Sequence, residues 1–184
     1  MSALVIAGDT SGTITIEAPA VAGTNTLTLP ASSGTVLTDT APKAGNVLQV
    51  VQGNLNTSAT TSSATYVTTG LTASITPASA SNKVLITVSL ADVYTGATNR
   101  TAYFTIYRDG TNISPATGTS LNQGFSLIWS NSGILQVNGT FSYLDSPSTT
   151  SATTYAVYFG SSGSAITLSV NNLASTIILQ EVAA

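Results

Sequence analysis

The chain has 184 residues, of which only 6% are charged and 42% are hydrophobic, and it contains no histidine and no cysteine. An ordinary soluble domain carries about 25% charged residues, so this surface has little charge to keep identical copies apart. The composition excludes disulfides and thiolate metal sites, and four basic residues with a net charge of −3 argue against nucleic acid as a partner.

The first nine residues lack a basic leader, and no apolar run in the chain approaches the roughly 20 residues of a membrane span. We therefore expect neither an export signal nor a membrane as a partner. Thr, Val and Ile are frequent while Lys, Glu, Arg and Met are scarce, which favours strands over helices throughout.

The first third of the chain predicts short strands at residues 13–16, 25–29 and 34–37, in which Thr alternates with single apolar residues. Such strands are marginal alone in water and need another surface or further copies. We therefore interpret residues 1–45 as an attachment arm. Its predicted attachment and assembly residues are Ile14, Ile16, Leu27, Leu29, Val36 and Leu37.

Residues 46–65 are predicted to form a linker and a first strand, in which the polar stretch 57–64 is a loop or linker. The head is expected over residues 66–184. Its clearest strand is 83–90, which is apolar on both faces and therefore predicted to be central.

A β-hairpin is predicted at Asp109-Gly110, because this dipeptide separates two strand-like runs and readily adopts the positive φ angles of a tight turn. Further strands are expected at 125–130, 134–143, 154–159, 166–170 and 176–182. This spacing predicts an all-β fold, an antiparallel jelly-roll-like β-sandwich that follows the extended β arm.

The hairpin strand carries alternating aromatic residues. Tyr103 and Tyr107 fall on one face, and Phe104 falls on the other. One reading is a carbohydrate-binding patch flanked by Arg100 and Arg108. The favoured reading places one face in the core and the other in a subunit interface. Trp129, the only tryptophan, is expected to be buried. The candidate trimer interface is therefore Tyr103, Tyr107 and Trp129.

Catalytic chemistry is not expected. A serine or threonine nucleophile needs a base, normally His, and none is present. The seven acidic residues are scattered without a motif that pairs them, and Asp109 and Asp145 are interpreted as turn residues. No Asp-rich loop or phosphate-binding loop is present. The sequence predicts a protein that is not an enzyme and that holds no metal or cofactor.

The segment SGTITIEAPAVAGTNTLTLP, residues 11–30, resembles an N-terminal motif of virion proteins of tailed bacteriophages, including short fibres and capsid decoration proteins. Residues 103–113 and the closing strand 175–182 resemble the trimeric jelly-roll heads of phage fibres and of tumour-necrosis-factor-like and C1q-like domains. The resemblance implies a homotrimer that is bound to a virion by its arm.

The leading hypothesis is a trimeric capsid decoration (cement) protein on the virion surface, assembled in the host cytoplasm. Its partners would be its own copies and the major capsid protein or another virion protein. The alternative is a short tail fibre or receptor-binding protein, whose loops at residues 95–101 or 146–153 contact a host glycan. A secreted carbohydrate-active enzyme lacks both the catalytic groups and the export signal.

Overall fold

The structure is a computed structural model that describes residues 3–7, 10–17, 21, 23–24, 42–114, 124–131 and 133–184. The chain divides into two compact units, Met1–Val36 and Leu37–Ala184. In the described part of the chain no helix is long and apolar enough to cross a membrane.

The N-terminal unit contains one antiparallel hairpin, formed by β1 (Ala3–Ala7) and β2 (Thr13–Glu17). Strand β2 confirms the strand predicted at 13–16, whereas β1 was not predicted as a strand. The expected strands at 25–29 and 34–37, with Leu27, Leu29, Val36 and Leu37, lie outside the described residues.

The second unit contains eleven of the described strands and a short 3-10 helix at Val170–Asn172. The strands are β3 (Val47–Leu55), β4 (Ala59–Thr61), β5 (Val67–Ile75), β6 (Lys83–Thr95), β7 (Arg100–Arg108), β8 (Thr111–Asn112), β9 (Ser126–Ser130), β10 (Leu135–Asp145), β11 (Thr153–Ser161), β12 (Ile166–Leu168) and β13 (Ser175–Val182).

These strands form two sheets in which every pairing is antiparallel. Sheet I has the order β3-β13-β6-β12-β4, with β10 on the other side of β6. Sheet II has the order β5-β11-β7-β8, with β9 also paired to β7. The predicted all-β, antiparallel fold is therefore confirmed.

The core lies between the two sheets, because alternate residues are buried along most of β5 and β6 and along β11 and β13. The buried apolar side chains of β6 are Val84, Ile86, Val88, Leu90 and Val93, and those of β13 include Ile177 and Leu179. Sheet II contributes apolar side chains from three strands to the same core: Leu71, Ala73, Ile75, Ala102, Phe104, Ile106, Tyr155, Val157 and Phe159.

Several local predictions are confirmed. Strand β6 contains the predicted segment 83–90 and is central, with β13 on one side and β10 on the other. The Asp109-Gly110 turn joins β7 to β8, with φ angles of 47° and 83°. The loop expected at 57–64 differs, because β4 lies within it and pairs with β12. The hydroxyl groups of Thr60 and Thr167 lie 2.9 Å apart and support this pairing. The polar composition of residues 57–64 gave no indication of a strand.

Candidate binding surfaces

The chain has few charges, and several of them lie inside the fold. Asp145 ends β10 of sheet I and forms a 2.8 Å ion pair with Arg108 of sheet II. The Tyr155 hydroxyl donates a 2.7 Å hydrogen bond to the same carboxylate. Burial first, and then the bond to Asp145, raises the pKa of Tyr155. Asp145 is thus a buried network residue, so its interpretation as a turn residue is wrong.

Glu181 of β13 is completely buried among hydrogen-bond donors. Its carboxylate accepts bonds from the side chains of Asn82 at 2.6 Å and Gln49 at 2.5 Å and from the backbone N–H of Ala78 at 2.7 Å. Burial acts to raise the pKa of Glu181, but these bonds outweigh it and hold the pKa below its ordinary value.

The outer surface is therefore poorer in charge than the composition indicates. Of the four acidic residues between positions 42 and 184, Asp92, Asp145 and Glu181 are buried, and only Asp109 is exposed. Two outward-facing surfaces of the head consequently expose mainly apolar or hydroxyl-bearing side chains, one on each sheet.

The outer face of sheet II carries the first surface. Tyr107 of β7 stacks on Tyr158 of β11, with ring centroids 3.9 Å apart and planes 19° apart. Tyr103 lies on the same face of β7, because it is separated from Tyr107 by an even number of residues, whereas Phe104 and Ile106 point into the core. The predicted division of this strand into two faces is confirmed.

Two further aromatic residues extend this face. Tyr66 lies two residues before Thr68, which pairs with Tyr158. Burial first, and then the neighbouring Tyr107 and Tyr103, raise the pKa of Tyr66 to about 12. Trp129 of β9 pairs with Thr101, which shares the outward face with Tyr103. We name this face the tyrosine surface: Tyr66, Tyr103, Tyr107, Tyr158 and Trp129.

Trp129 was expected to be buried, but its side chain is 59% exposed in the single chain. Strand β9 pairs with β7 so that Trp129 faces outward, while Ile128 packs against the core. Arg108, which was expected to flank the aromatic face, instead points inward to Asp145. Neither difference tests whether Tyr103, Tyr107 and Trp129 contact another subunit.

The outer face of sheet I carries the second surface, which sequence reasoning did not identify. Val50 and Leu144 are 60% and 47% exposed and lie in one row across the sheet, with Gln180 and Leu85 between them. Among the outward positions of β3, β13, β10 and the paired part of β6, only Lys83 is charged. We name the apolar members the aliphatic surface: Leu48, Val50, Leu85, Leu144, Ile178 and Val182.

A third apolar face lies on the N-terminal hairpin. The register pairs Leu4 with Ile16 and Ile6 with Ile14, so these four side chains share one face. Each is at least half exposed. Ile14 and Ile16, both predicted attachment residues, are therefore brought together with two residues that were not predicted. We name these four residues the hairpin face.

In the described part of the chain, no three acidic residues lie close enough to hold a metal ion. The buried acids are already engaged: Asp92 by Gln136, Asp145 by Arg108 and Tyr155, and Glu181 by Asn82, Gln49 and the backbone N–H of Ala78. The features of the described surface that remain as candidate sites are its exposed apolar and aromatic faces, which could bind a partner.

Comparisons with known proteins give no family. No protein-family model matches the chain, and no curated protein sequence is significantly similar to it.

Proposed function

We propose that the chain is a structural assembly protein whose head forms a homotrimer and whose N-terminal arm attaches it to a larger particle. The observation that carries the self-association is the aliphatic surface. Its residues come from four strands, three of them are more than one-third exposed, and their neighbours are almost all uncharged.

Burial against a second copy is the simplest way to remove this surface from water. Subunit interfaces combine an apolar centre with few charged groups, which matches the row from Val50 to Leu144. A surface with little charge can be buried against an identical copy without desolvating charged groups that would then need partners. The exposed Leu48, Val50 and Leu144 side chains of the aliphatic surface have no polar edge that water can bind, unlike Tyr103, Tyr107 and Trp129, so the aliphatic surface is the better candidate interface.

A jelly-roll arrangement of the head is part of this proposal. When β3 and β4, β8 and β9, and β12 and β13 are each counted as one interrupted strand, each sheet has four strands. Their order is 1-8-3-6 in sheet I and 2-7-4-5 in sheet II. Two four-stranded antiparallel sheets with these crossovers support an eight-stranded jelly roll.

The particle that we propose is the virion of a tailed bacteriophage, and the protein would serve as a trimeric capsid decoration protein. This step rests on the resemblance of residues 11–30 to phage virion proteins and on the exposed hairpin face, which needs a partner to be stable. The major capsid protein is the partner that we expect for the arm. A lattice of identical sites would also multiply weak single contacts.

Sedimentation velocity of the full chain tests the self-association. The wild type should sediment as a trimer, and the double variant Val50→Asp/Leu144→Asp as a monomer with an unchanged circular dichroism spectrum. The matched control is Ser74→Asp, which adds a charge to the exposed outer side of β5 and should remain trimeric. A monomeric wild type, or a trimeric double variant, would contradict the proposal.

Copy number in purified virions tests the location. Quantitative mass spectrometry against the major capsid protein should give hundreds of copies for a decoration protein. A number near the low symmetry of the tail would instead support a short tail fibre.

A further inference from the structure

We propose that the tyrosine surface is a binding site for an uncharged oligosaccharide. This function goes beyond self-association and attachment, and it uses the sheet opposite to the aliphatic surface. The geometry, the charge and the extent of the surface each support it.

The first support is the stacked pair of rings. Tyr107 and Tyr158 lie face to face at 3.9 Å on adjacent strands, and both are partly exposed. The register places Ala156 opposite Tyr107 and Gly160 opposite Tyr103, so small residues alternate with large rings across the strands. Each of the two rings covers one face of the other, and the stack holds both rings in place, so the free outer face of either ring can contact the apolar C–H face of a sugar ring.

The second support is the absence of charge. No outward position of β5, β7 or β11, all of them described, carries a charged side chain. The positions beside the rings supply hydroxyl groups instead, among them Thr68, which pairs with Tyr158, and Thr101, which pairs with Trp129. Aromatic faces together with neutral hydroxyl groups complement a neutral sugar. A charged ligand would find no counter-ion here.

The contrast with sheet I separates this site from a subunit interface. The outer face of sheet I places Gln180 between aliphatic side chains, so its polar and apolar groups belong to different residues. Every member of the tyrosine surface instead joins an aromatic ring to a polar O–H or N–H. Side chains that combine an apolar ring with a polar edge can bind a ligand that is itself both apolar and hydroxylated.

The third support is the extent of the surface. Trp129 pairs with Thr101, six residues along β7 from Tyr107. At about 3.3 Å per residue, these ends are about 20 Å apart. Tyr103 lies between them on the same face. The aromatic residues therefore form a row long enough for several linked sugar rings.

Isothermal titration calorimetry of the full chain tests the site with three neutral probes, namely maltohexaose, cellohexaose and N-acetylchitohexaose. At least one should bind saturably. Trp129, as the only tryptophan, should report that binding by a change in its fluorescence. Tyr107→Ala and Tyr158→Ala should each weaken binding about tenfold. Trp129→Ala should also weaken it, and because the Trp129 side chain is exposed, this variant should keep its fold.

The matched control is Tyr94→Ala, which removes a partly exposed tyrosine from β6 of sheet I. It should bind as the wild type does. The proposal is overturned if none of the three sugars binds at about 10 mM, or if the Tyr107 and Tyr158 variants bind normally. It is also overturned if these variants lose the trimer instead of the sugar. Val50→Asp/Leu144→Asp leaves the tyrosine surface intact, so it should bind the sugar even as a monomer. Loss of the trimer and loss of sugar binding are therefore distinguishable.

Discussion

Arg108 and Asp145 connect the two sheets of the head through an ion pair in which Nη1 and Oδ2 lie 2.8 Å apart. Arg108 is the last residue of β7, and Asp145 is the last residue of β10. The Asp145 side chain is 8% exposed, and it also accepts the hydroxyl of Tyr155 from β11. One carboxylate thus holds the ends of three strands at the same edge of the core.

Asp145→Asn should destabilise the head by about 2–3 kcal/mol, because it leaves the Arg108 guanidinium without its counter-charge. Tyr155→Phe should cost about 1.5 kcal/mol, since it removes one hydrogen bond to a charged group and keeps the ring. Urea unfolding followed by circular dichroism measures both. If Asp145→Asn fell within about 0.5 kcal/mol of the wild type, the ion pair would have no structural role.

Glu181 makes the free energy of unfolding depend on pH in the acidic range. Its pKa in the folded state lies below its ordinary value of 4.5, so the folded form binds a proton less readily than the unfolded form. The resulting stabilisation is fully present above about pH 4.5 and is lost as the pH falls through the lowered pKa. Urea unfolding between pH 3 and 7, in steps of about half a unit, should show this loss.

Glu181→Gln is the variant that isolates this contribution. It removes the titrating group but keeps the size of the side chain, so the stability of the variant should fall less steeply with acid. At pH 7 the variant should be less stable by about 1–2 kcal/mol, because its amide N–H₂ faces donors rather than acceptors. Identical acid profiles for the two proteins would show that Glu181 is not responsible.

Gly53 marks a close approach of the two sheets. A Cβ atom there would lie 2.0 Å from the backbone oxygen of Thr72 in β5, and 3.1 Å from Ile177 Cγ2. Gly53→Ala should therefore cost at least about 3 kcal/mol, because backbone must move to accept the methyl group. Gly110→Ala meets no atom within 4 Å and should cost only about 1 kcal/mol for its positive φ of 83°. If thermal unfolding gave the same loss of stability for both variants, the close approach at Gly53 would not be the cause of its loss.

The sequence was sufficient to predict features that depend on short-range pattern. Asp109-Gly110 favours one turn geometry, and the alternation of Val84, Ile86 and Val88 gives one buried face. Strand β4 was missed because its pairing with β12 depends on contacts such as Thr60–Thr167, across about 100 residues of chain. Polar residues at a sheet edge carry no local signal of this kind.

The candidate surfaces were predictable only in part, for the same reason. The alternation within β7 indicated that Tyr103 and Tyr107 share a face, but only the strand order brings Tyr158 beside them. Likewise, Val50 and Leu144 belong to one surface because β13 and β6 lie between their strands. A single sequence does not give that order, so neither the aromatic stack nor the aliphatic row could be derived.

The hairpin face gives the sharpest test of the proposed attachment arm. Ile14 and Ile16 lie on the same side of β2, at 67% and 50% exposure, opposite Ile6 and Leu4. If this face is buried on a capsid, each isoleucine contributes about 2 kcal/mol. Ile14→Asn/Ile16→Asn should then weaken virion binding about several hundredfold, as measured by co-sedimentation with virions that lack the protein.

Two controls separate attachment from folding. Thr15→Asn changes the opposite face of the same strand and should bind virions as the wild type does. Removal of residues 1–36 should abolish virion binding but leave the thermal unfolding of the head unchanged, because residues 37–184 form a separate compact unit. If the head without these residues still bound virions, attachment would belong to a surface of the head, and the arm would lose its proposed role.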